Sequence, residues 1–270
     1  MNKVVIVTGA SSGIGFSTVK ELVAEGHIVY GAARKKADLH NLAALGASPL
    51  SLEMTDYNSL EAAIGAVIKA EGRIDVLFNN AGYGLYGAVE DISIDDAKNQ
   101  FDVNLFGLAK ITQLVLPHMR TQNSGLIINT SSMGGKMYTP LGAWYHASKH
   151  ALEGWSDCLR IEVKQFGIDV AIIEPGAIKT PWGSGAADNI VRTSSKGAYK
   201  KFAGKIAKSL RRRYESSELS SPDVIANVVS KAIASSKPKT RYVSGKYAKP
   251  ALFARKHLSD RMFDKIISNS

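Results

Sequence analysis

Val4-Val5-Ile6-Val7-Thr8-Gly9-Ala10-Ser11-Ser12-Gly13-Ile14-Gly15 decides the fold of this chain. Four β-branched apolar residues in a row suit a strand buried on both faces, as in a parallel sheet. Glycines at 9, 13 and 15 follow at once, and helical periodicity runs from Phe16 to Glu25. In that order the backbone turns tightly, lets a pyrophosphate come close and offers it the free N–H groups of a helix N-terminus. A glycine trio alone is often only a turn. The strand, turn and helix together make it a dinucleotide-binding turn.

Similar apolar runs recur at Ile28 to Ala33, Val76 to Phe78, Leu126 to Asn129 and Val170 to Ile173. Helical patterns fill the gaps. One covers 57–70 with Asp56 as N-cap. A second runs from Ser93 to Met119, with Ser93 and Asp96 placed as a cap and its partner. A third runs from about Trp144 to Phe166 and ends at Gly167. Strands alternating with helices mean βαβ units and a mostly parallel sheet, an α/β fold with helices on both faces. Residues 177–215 differ, being rich in Gly, Ser, Ala and Lys with weaker periodicity. They are read as a mobile lid beside the carboxyl ends of the strands. A helix near 222–235, a short strand near Tyr242-Val243 and a basic amphipathic tail follow. No linker or repeat divides the chain, so residues 1–270 read as a single domain.

The chain has 270 residues, 45% of them hydrophobic, enough for a large core. No apolar run reaches the roughly 18 residues of a spanning helix, and no signal-peptide core is seen. The one cysteine, Cys158, excludes an intrachain disulfide framework and is expected to pack within its helix. A cytoplasmic location is expected. The net charge of +10 is unevenly spread: residues 190–270 hold 19 Lys+Arg against 5 Asp+Glu. No nucleic-acid motif accompanies this block, so no nucleic-acid partner is expected. No HExxH spacing occurs, and no metal is expected.

The second strand ends Gly31-Ala32-Ala33-Arg34-Lys35-Lys36. An NAD site usually has an acidic side chain here for the ribose 2′-hydroxyl. Arg34 would instead grip a 2′-phosphate, with Lys35 and Lys36 beside it, so NADP(H) is expected over NAD(H).

With these residues the chain resembles the short-chain dehydrogenase/reductase family. The glycine turn is similar. So are Asn79-Asn80-Ala81-Gly82, Asp102-Val103-Asn104, Ser131-Ser132-Met133-Gly134, Tyr145-His146-Ala147-Ser148-Lys149 and Pro175-Gly176, in the family's order over residues 8–180. General texture resembles the 17-beta-hydroxysteroid and retinol dehydrogenase branch. The resemblance implies a doubly wound Rossmann domain. Residues 1–130 would mainly bind cofactor, 131–248 would carry the catalytic residues, lid and substrate region, and 249–270 would be the basic tail. It also implies a Ser132–Tyr145–Lys149–Asn104 active site. Ser131 is the alternative to Ser132, and the interval to Tyr145 favours Ser132. Cofactor contacts are implied at Gly9, Ser11, Ser12, Gly13, Ile14, Gly15, Arg34, Asn80, Ala81, Gly82, Tyr145, Lys149, Pro175, Gly176, Ile178 and Thr180. Where the family often has an Asp-Val pair near adenine, this chain has Glu53-Met54.

Tyr145 and Lys149 lie one helical turn apart and share a face. A neighbouring ammonium favours the phenolate. Bringing a tyrosine from near 10 towards 7 takes about 4 kcal/mol, which Lys149 and an oxidised nicotinamide are expected to supply. Tyr145 would then move a proton to or from the substrate oxygen. Ser132 would hold that oxygen. By resemblance, Asn104 would link Lys149 to solvent through a water.

Met133, Tyr138 and Trp182 are expected to contact substrate, within a wall that includes Tyr83, Leu85, Tyr86, Met137, Leu141, Trp144, Tyr199 and Phe202. Such a lining suits a bulky hydrophobic alcohol, ketone or aldehyde. A homodimer or homotetramer is implied by resemblance. Peripheral membrane contact through the basic tail is a further option, against docking of that tail on its own domain. A non-catalytic dinucleotide sensor or a surface-binding protein on the same fold is the alternative to an enzyme.

Overall fold

The computed structural model describes residues 2–216 and 218–269. Met1, Ser217 and Ser270, which include both ends of the 1–270 span, lie outside the described residues. β1 (Val4–Val7) is flanked by β2 (Ile28–Ala33) on one side and β4 (Val76–Asn79) on the other. Beyond β2 lies β3 (Ser48–Ser51). Beyond β4 come β5 (Gly125–Thr130), β6 (Ile168–Pro175) and β7 (Arg241–Ser244), giving the order β3-β2-β1-β4-β5-β6-β7. Every pairing is parallel. The chain reverses its direction of travel across the sheet between β1 and β4, and ligands bind at such a switch point.

The unbroken apolar runs have a simple cause. Val4 and Ile6 enter one core, with α3 (Tyr57–Glu71), α5 (Leu108–Gln122) and α6 (Ala143–Val163). Val5 and Val7 enter the other, with α1 (Gly13–Ala24), α2 (Lys36–Ala44) and α9 (Asp223–Ala234). Both faces are covered, so both faces must be apolar. β3 gave no apolar run because it is the edge strand, and Ser48-Pro49-Leu50-Ser51 suits an edge that a central strand could not tolerate.

Caps fall where the sequence places them. Asp56 accepts from the Asn58 and Ser59 amides, and Ser93 accepts from the Asp96 amide. The helix from Ser93 is not uniform. α4 (Ile94–Phe101) passes into a π-helical stretch, Asp102–Gly107, before α5 begins. Gly107 allows this stretch to touch the β3–α3 loop, since a Cβ there would sit 2.3 Å from the Met54 carbonyl oxygen.

The 177–215 segment is more ordered than its composition suggested. It forms α7 (Trp182–Ser194) and α8 (Lys200–Glu215), packed on each other. Ala186, Ala203 and Ala207 are buried there beside Ile190, so much of the periodicity is carried by alanine and is hard to see. Cys158 is exposed, not packed, because it lies on the outer side of α6. The basic tail forms α10 (Ala248–His257) and α11 (Asp260–Asn269), and Phe263 of α11 is buried against the domain. No described helix is long and apolar enough to cross a membrane.

Gly107→Ala is expected to force the Met54 backbone aside, costing roughly 1–3 kcal/mol and several degrees of Tm. Thermal unfolding measures it. An unchanged Tm would show that this contact is not tight.

Candidate active site

The glycine turn is held by the loop after β4. Thr8 Oγ1 accepts hydrogen bonds from the Asn80 amide at 2.9 Å and the Ala81 amide at 3.0 Å. Asn80 Nδ2 donates to the carbonyls of Thr8 and Gly9. Gly9 and Gly13 both have positive φ, 65° and 56°. A Cβ on Gly9 would come 2.7 Å from Ala81 Cα, and one on Gly15 would come 2.3 Å from the Gly9 carbonyl oxygen. Thr180 reaches the same turn, its Cγ2 2.9 Å from where a Gly13 Cβ would lie. At the start of α1, Ser12 makes no side-chain cap, which leaves the first amides for a ligand.

One cavity of about 760 Å³ runs from this turn to the second half of the chain. Gly9, Ser11, Ser12, Gly13, Ile14, Arg34, Glu53, Met54, Asn80, Ala81 and Gly82 line it. So do Ser132, Met133, Tyr145, Lys149, Pro175, Gly176, Ile178, Thr180 and Trp182. Three candidates are not on its wall. Gly15 lies beneath the turn. Asn104 is buried in the π-helical stretch. Tyr138 instead donates to Asp264 Oδ1 at 2.9 Å and packs on Phe263. It lines a separate, smaller cavity with Leu141, Tyr199 and Phe202. Leu85 and Trp144 also leave the wall, packing with Ile92 and Ala97. Of the three cations after β2, Arg34 alone lines the cavity, 3.6 Å from Glu53 Oε2.

Ser132 Oγ accepts from the Gly134 amide at 3.0 Å and forms a hydrogen bond with Tyr145. Ser131, the alternative, is turned away, with its Oγ near the Glu153 side chain around Gly135. Tyr145 is packed among Tyr86, His146 and Trp182, with ring centroids 5.6, 5.5 and 5.1 Å away. Burial pushes its phenol up to about 12, against the opposing hydrogen bond from Ser132. This differs from the sequence expectation that Lys149 would pull it down. The expectation also counted on an oxidised nicotinamide; in the protein alone the Lys149 ammonium donates to the Thr130 carbonyl at 2.7 Å. Burial pushes Lys149 down to about 8, while the Glu153 carboxylate acts to raise it.

Asn104 does not bond Lys149 directly. Its Oδ1 accepts from the Tyr83 amide, and its Nδ2 donates to the Tyr83 carbonyl and Ser148 Oγ. Asn104 Oδ1 and Lys149 Nζ nevertheless flank one point, 3.0 and 3.8 Å from a Cβ placed on Gly82.

Two features went unread in the sequence. The first is His146. The Thr139 amide donates to its Nε2 at 3.0 Å, so Nδ1 carries the proton and donates to the Gly134 carbonyl at 2.9 Å. The ring therefore staples the loop that carries Ser132 to the catalytic helix, and burial lowers its pKa. The second is a buried charge cluster behind Lys149. Glu153 pairs with Lys136 and with Arg241, each at 3.0 Å, and Arg241 also meets Asp157 and Glu174. Burial and the Glu153 carboxylate push Glu174 up to about 7. The spacing of Glu153 four residues after Lys149 was a usable signal. The arrival of Arg241 from β7 was not.

The model for the short chain dehydrogenase family matches residues 3–191. The chain belongs to the short-chain dehydrogenase/reductase family and is an oxidoreductase of that fold. It is 37% identical over 249 residues to oxidoreductase BOA17 of Botryotinia fuckeliana, covering 91% of this chain and 89% of that one. It is 38% identical over 209 residues to the 3-ketodihydrosphingosine reductase of Bacteroides thetaiotaomicron, covering 77% and 75%. A short-chain dehydrogenase structure from Streptomyces avermitilis aligns with TM-score 0.82 at 31% identity, over 98% of this chain and 96% of that one. A Burkholderia phymatum member in complex with NAD aligns with TM-score 0.81 at 25% identity, over 98% and 94%. An actinorhodin polyketide ketoreductase variant with NADPH aligns with TM-score 0.75 at 28% identity, over 90% and 95%.

His146 is held neutral in the fold, so stability is full above 6.5 and is lost as pH falls below it, where the unfolded chain takes up the proton first. His146→Asn is expected to lose less stability between about pH 7.5 and about pH 5. Denaturant titration at both pH values measures this, and equal losses in the two proteins would refute the neutral staple.

Proposed function

We propose that this chain is an NADP(H)-dependent carbonyl reductase, running also as an alcohol dehydrogenase, on a bulky hydrophobic substrate. The observation that carries the proposal is one cavity shared by the glycine turn and by Ser132, Tyr145 and Lys149. A sensor would need only the turn.

The residues fit a nicotinamide dinucleotide. A side chain on Gly9 or Gly15 would fill the cradle, and the uncapped start of α1 offers amides to a diphosphate. When bound, the dinucleotide supplies or accepts the hydride. Arg34 is placed to pair with a 2′-phosphate, with Glu53 and Met54 near the adenine end of the cavity. Pro175, Gly176, Ile178 and Thr180 hold the nicotinamide end.

With its pKa near 12, Tyr145 is protonated at neutral pH, which suits it to donate a proton from Oη to a carbonyl oxygen. Ser132 Oγ donates a hydrogen bond to the same oxygen as negative charge develops there. Lys149, pushed down to about 8, titrates near neutrality and can return a proton towards Tyr145. Asn104, held by Tyr83 and Ser148, is placed to hold a water beside Lys149.

Tyr86, Met133, Met137, Trp182, Ile206 and Leu210 make the far wall apolar and broad. That favours a large lipophilic ketone or aldehyde, in keeping with the hydroxysteroid and retinol branch and with a relative named 3-ketodihydrosphingosine reductase. Exposed Phe106 and Ile161, in the π-helical stretch before α5 and on α6, support a homodimer or homotetramer. We assign a cytoplasmic location.

Tyr145→Phe is expected to cut NADPH-dependent reduction of hydrophobic ketones by about 10²–10⁴ while leaving cofactor affinity nearly unchanged. Steady-state assay with a direct binding measurement checks both, and wild-type turnover would reject the acid role. Arg34→Ala is expected to weaken NADPH about tenfold or more and NADH little. Equal effects on both cofactors would reject the 2′-phosphate assignment.

A further inference from the structure

The C-terminal helices have two apolar sides. The inner side is accounted for. Phe263 is 1% exposed and packs on Tyr138, and Ile267 lines the large cavity. The outer side is not. Phe253 is 67% exposed, Met262 55% and Ile266 50%. On α10, exposed Lys249, Phe253, Lys256 and His257 recur at helical spacing, and the Phe253 and His257 rings lie 4.4 Å apart. On α11, Arg261, Met262 and Ile266 form one outward strip.

The two acids of this region are exposed but partnered: Asp260 pairs with Arg255 at 2.9 Å, and Asp264 accepts from Tyr138. Arg255 itself lies over the rings of Tyr138 and Phe263. The exposed cations Lys249, Lys256 and Arg261 outnumber these acids and stand beside the apolar side chains. α8, another wall of the cavity, repeats the pattern with exposed Lys201, Phe202, Lys205 and Lys208.

We propose that the outer face of α10 and α11 docks on an anionic lipid bilayer. Phe253, Met262 and Ile266 enter the headgroup boundary, and Lys249, Lys256 and Arg261 meet lipid phosphates. Basic and apolar side chains on one helix face are the makings of an interfacial helix. Charge complementarity selects the surface, since residues 190–270 hold 19 cations against 5 acids. Nucleic acid offers phosphates but nothing for Met262 and Ile266. A second copy would set like charges against like. The docking holds whichever carbonyl the site reduces. It places lipid against helices that wall the cavity.

Co-sedimentation of the full chain with vesicles tests it. With phosphatidylcholine vesicles containing phosphatidylglycerol at low salt, most of the protein is expected to sediment. Neutral phosphatidylcholine vesicles, or high salt, should lower binding about tenfold or more. Two variants of unchanged Tm should each lose binding to a similar extent: Phe253→Ser/Met262→Ser/Ile266→Ser and Lys249→Glu/Lys256→Glu/Arg261→Glu. Wild type left in the supernatant, or variants that sediment like wild type, would overturn the proposal. So would a wild type that ignores vesicles but dissociates into smaller particles when Phe253, Met262 and Ile266 are replaced, because the face would then join copies of the chain.

Discussion

Two loops meet almost atom to atom at the centre of this molecule, and the site is built outward from that meeting. The turn after β1 and the loop after β4 lie side by side because the sheet changes direction there. Thr8 accepts two amides of the β4 loop, and Asn80 returns two hydrogen bonds to the β1 turn. The gap between them admits no Cβ at Gly9. This contact fixes the phosphate end of the cavity. Through Gly82, Asn104 and Lys149, it also fixes the distance from that end to the catalytic helix.

The end of the cavity that holds Ser132, Tyr145 and Lys149 is governed by burial. A low-dielectric pocket penalises the charged form of any group. It therefore drives the Tyr145 phenol up and the Lys149 ammonium down, so that each is held nearer to its neutral state. Glu153 works against this on Lys149, and it is kept in place by Lys136 and Arg241. The result is a phenol that stays protonated at neutral pH, next to an amine that can change charge near there.

Most of the frame was legible in the sequence, for reasons that can be named. Central strands buried on both faces must be apolar throughout, so β1, β2, β4, β5 and β6 announce themselves. Caps at Asp56 and Ser93 are local, so they too can be read. β3 was hidden because an edge strand may be polar. α7 and α8 were hidden because alanines make much of their seam. The residues of the site were legible as a set, yet their electrostatics were not. The phenol's environment depends on Tyr86 and Trp182, which lie far from it in sequence. Tyr138 was misplaced on the wall because nothing local tells that Phe263 and Asp264 will claim it. His146 was passed over because two of its partners are backbone groups and the third, the Thr139 hydroxyl, comes from a loop whose path the sequence does not show.

Arg241 ties the history of the chain to its chemistry. It follows Glu153 by 88 residues and reaches the cluster only as part of β7. During synthesis, α6 and β6 leave the ribosome well before their guanidinium does. Until it arrives, two carboxylates that end up buried have only the Lys136 and Lys149 amines to offset them, and burying them early would be costly. The reactive half of the molecule thus has an electrostatic reason to stay loose until nearly the whole polypeptide is made. A nascent fragment that stops short of β7 would tend to remain open, without a finished catalytic pocket.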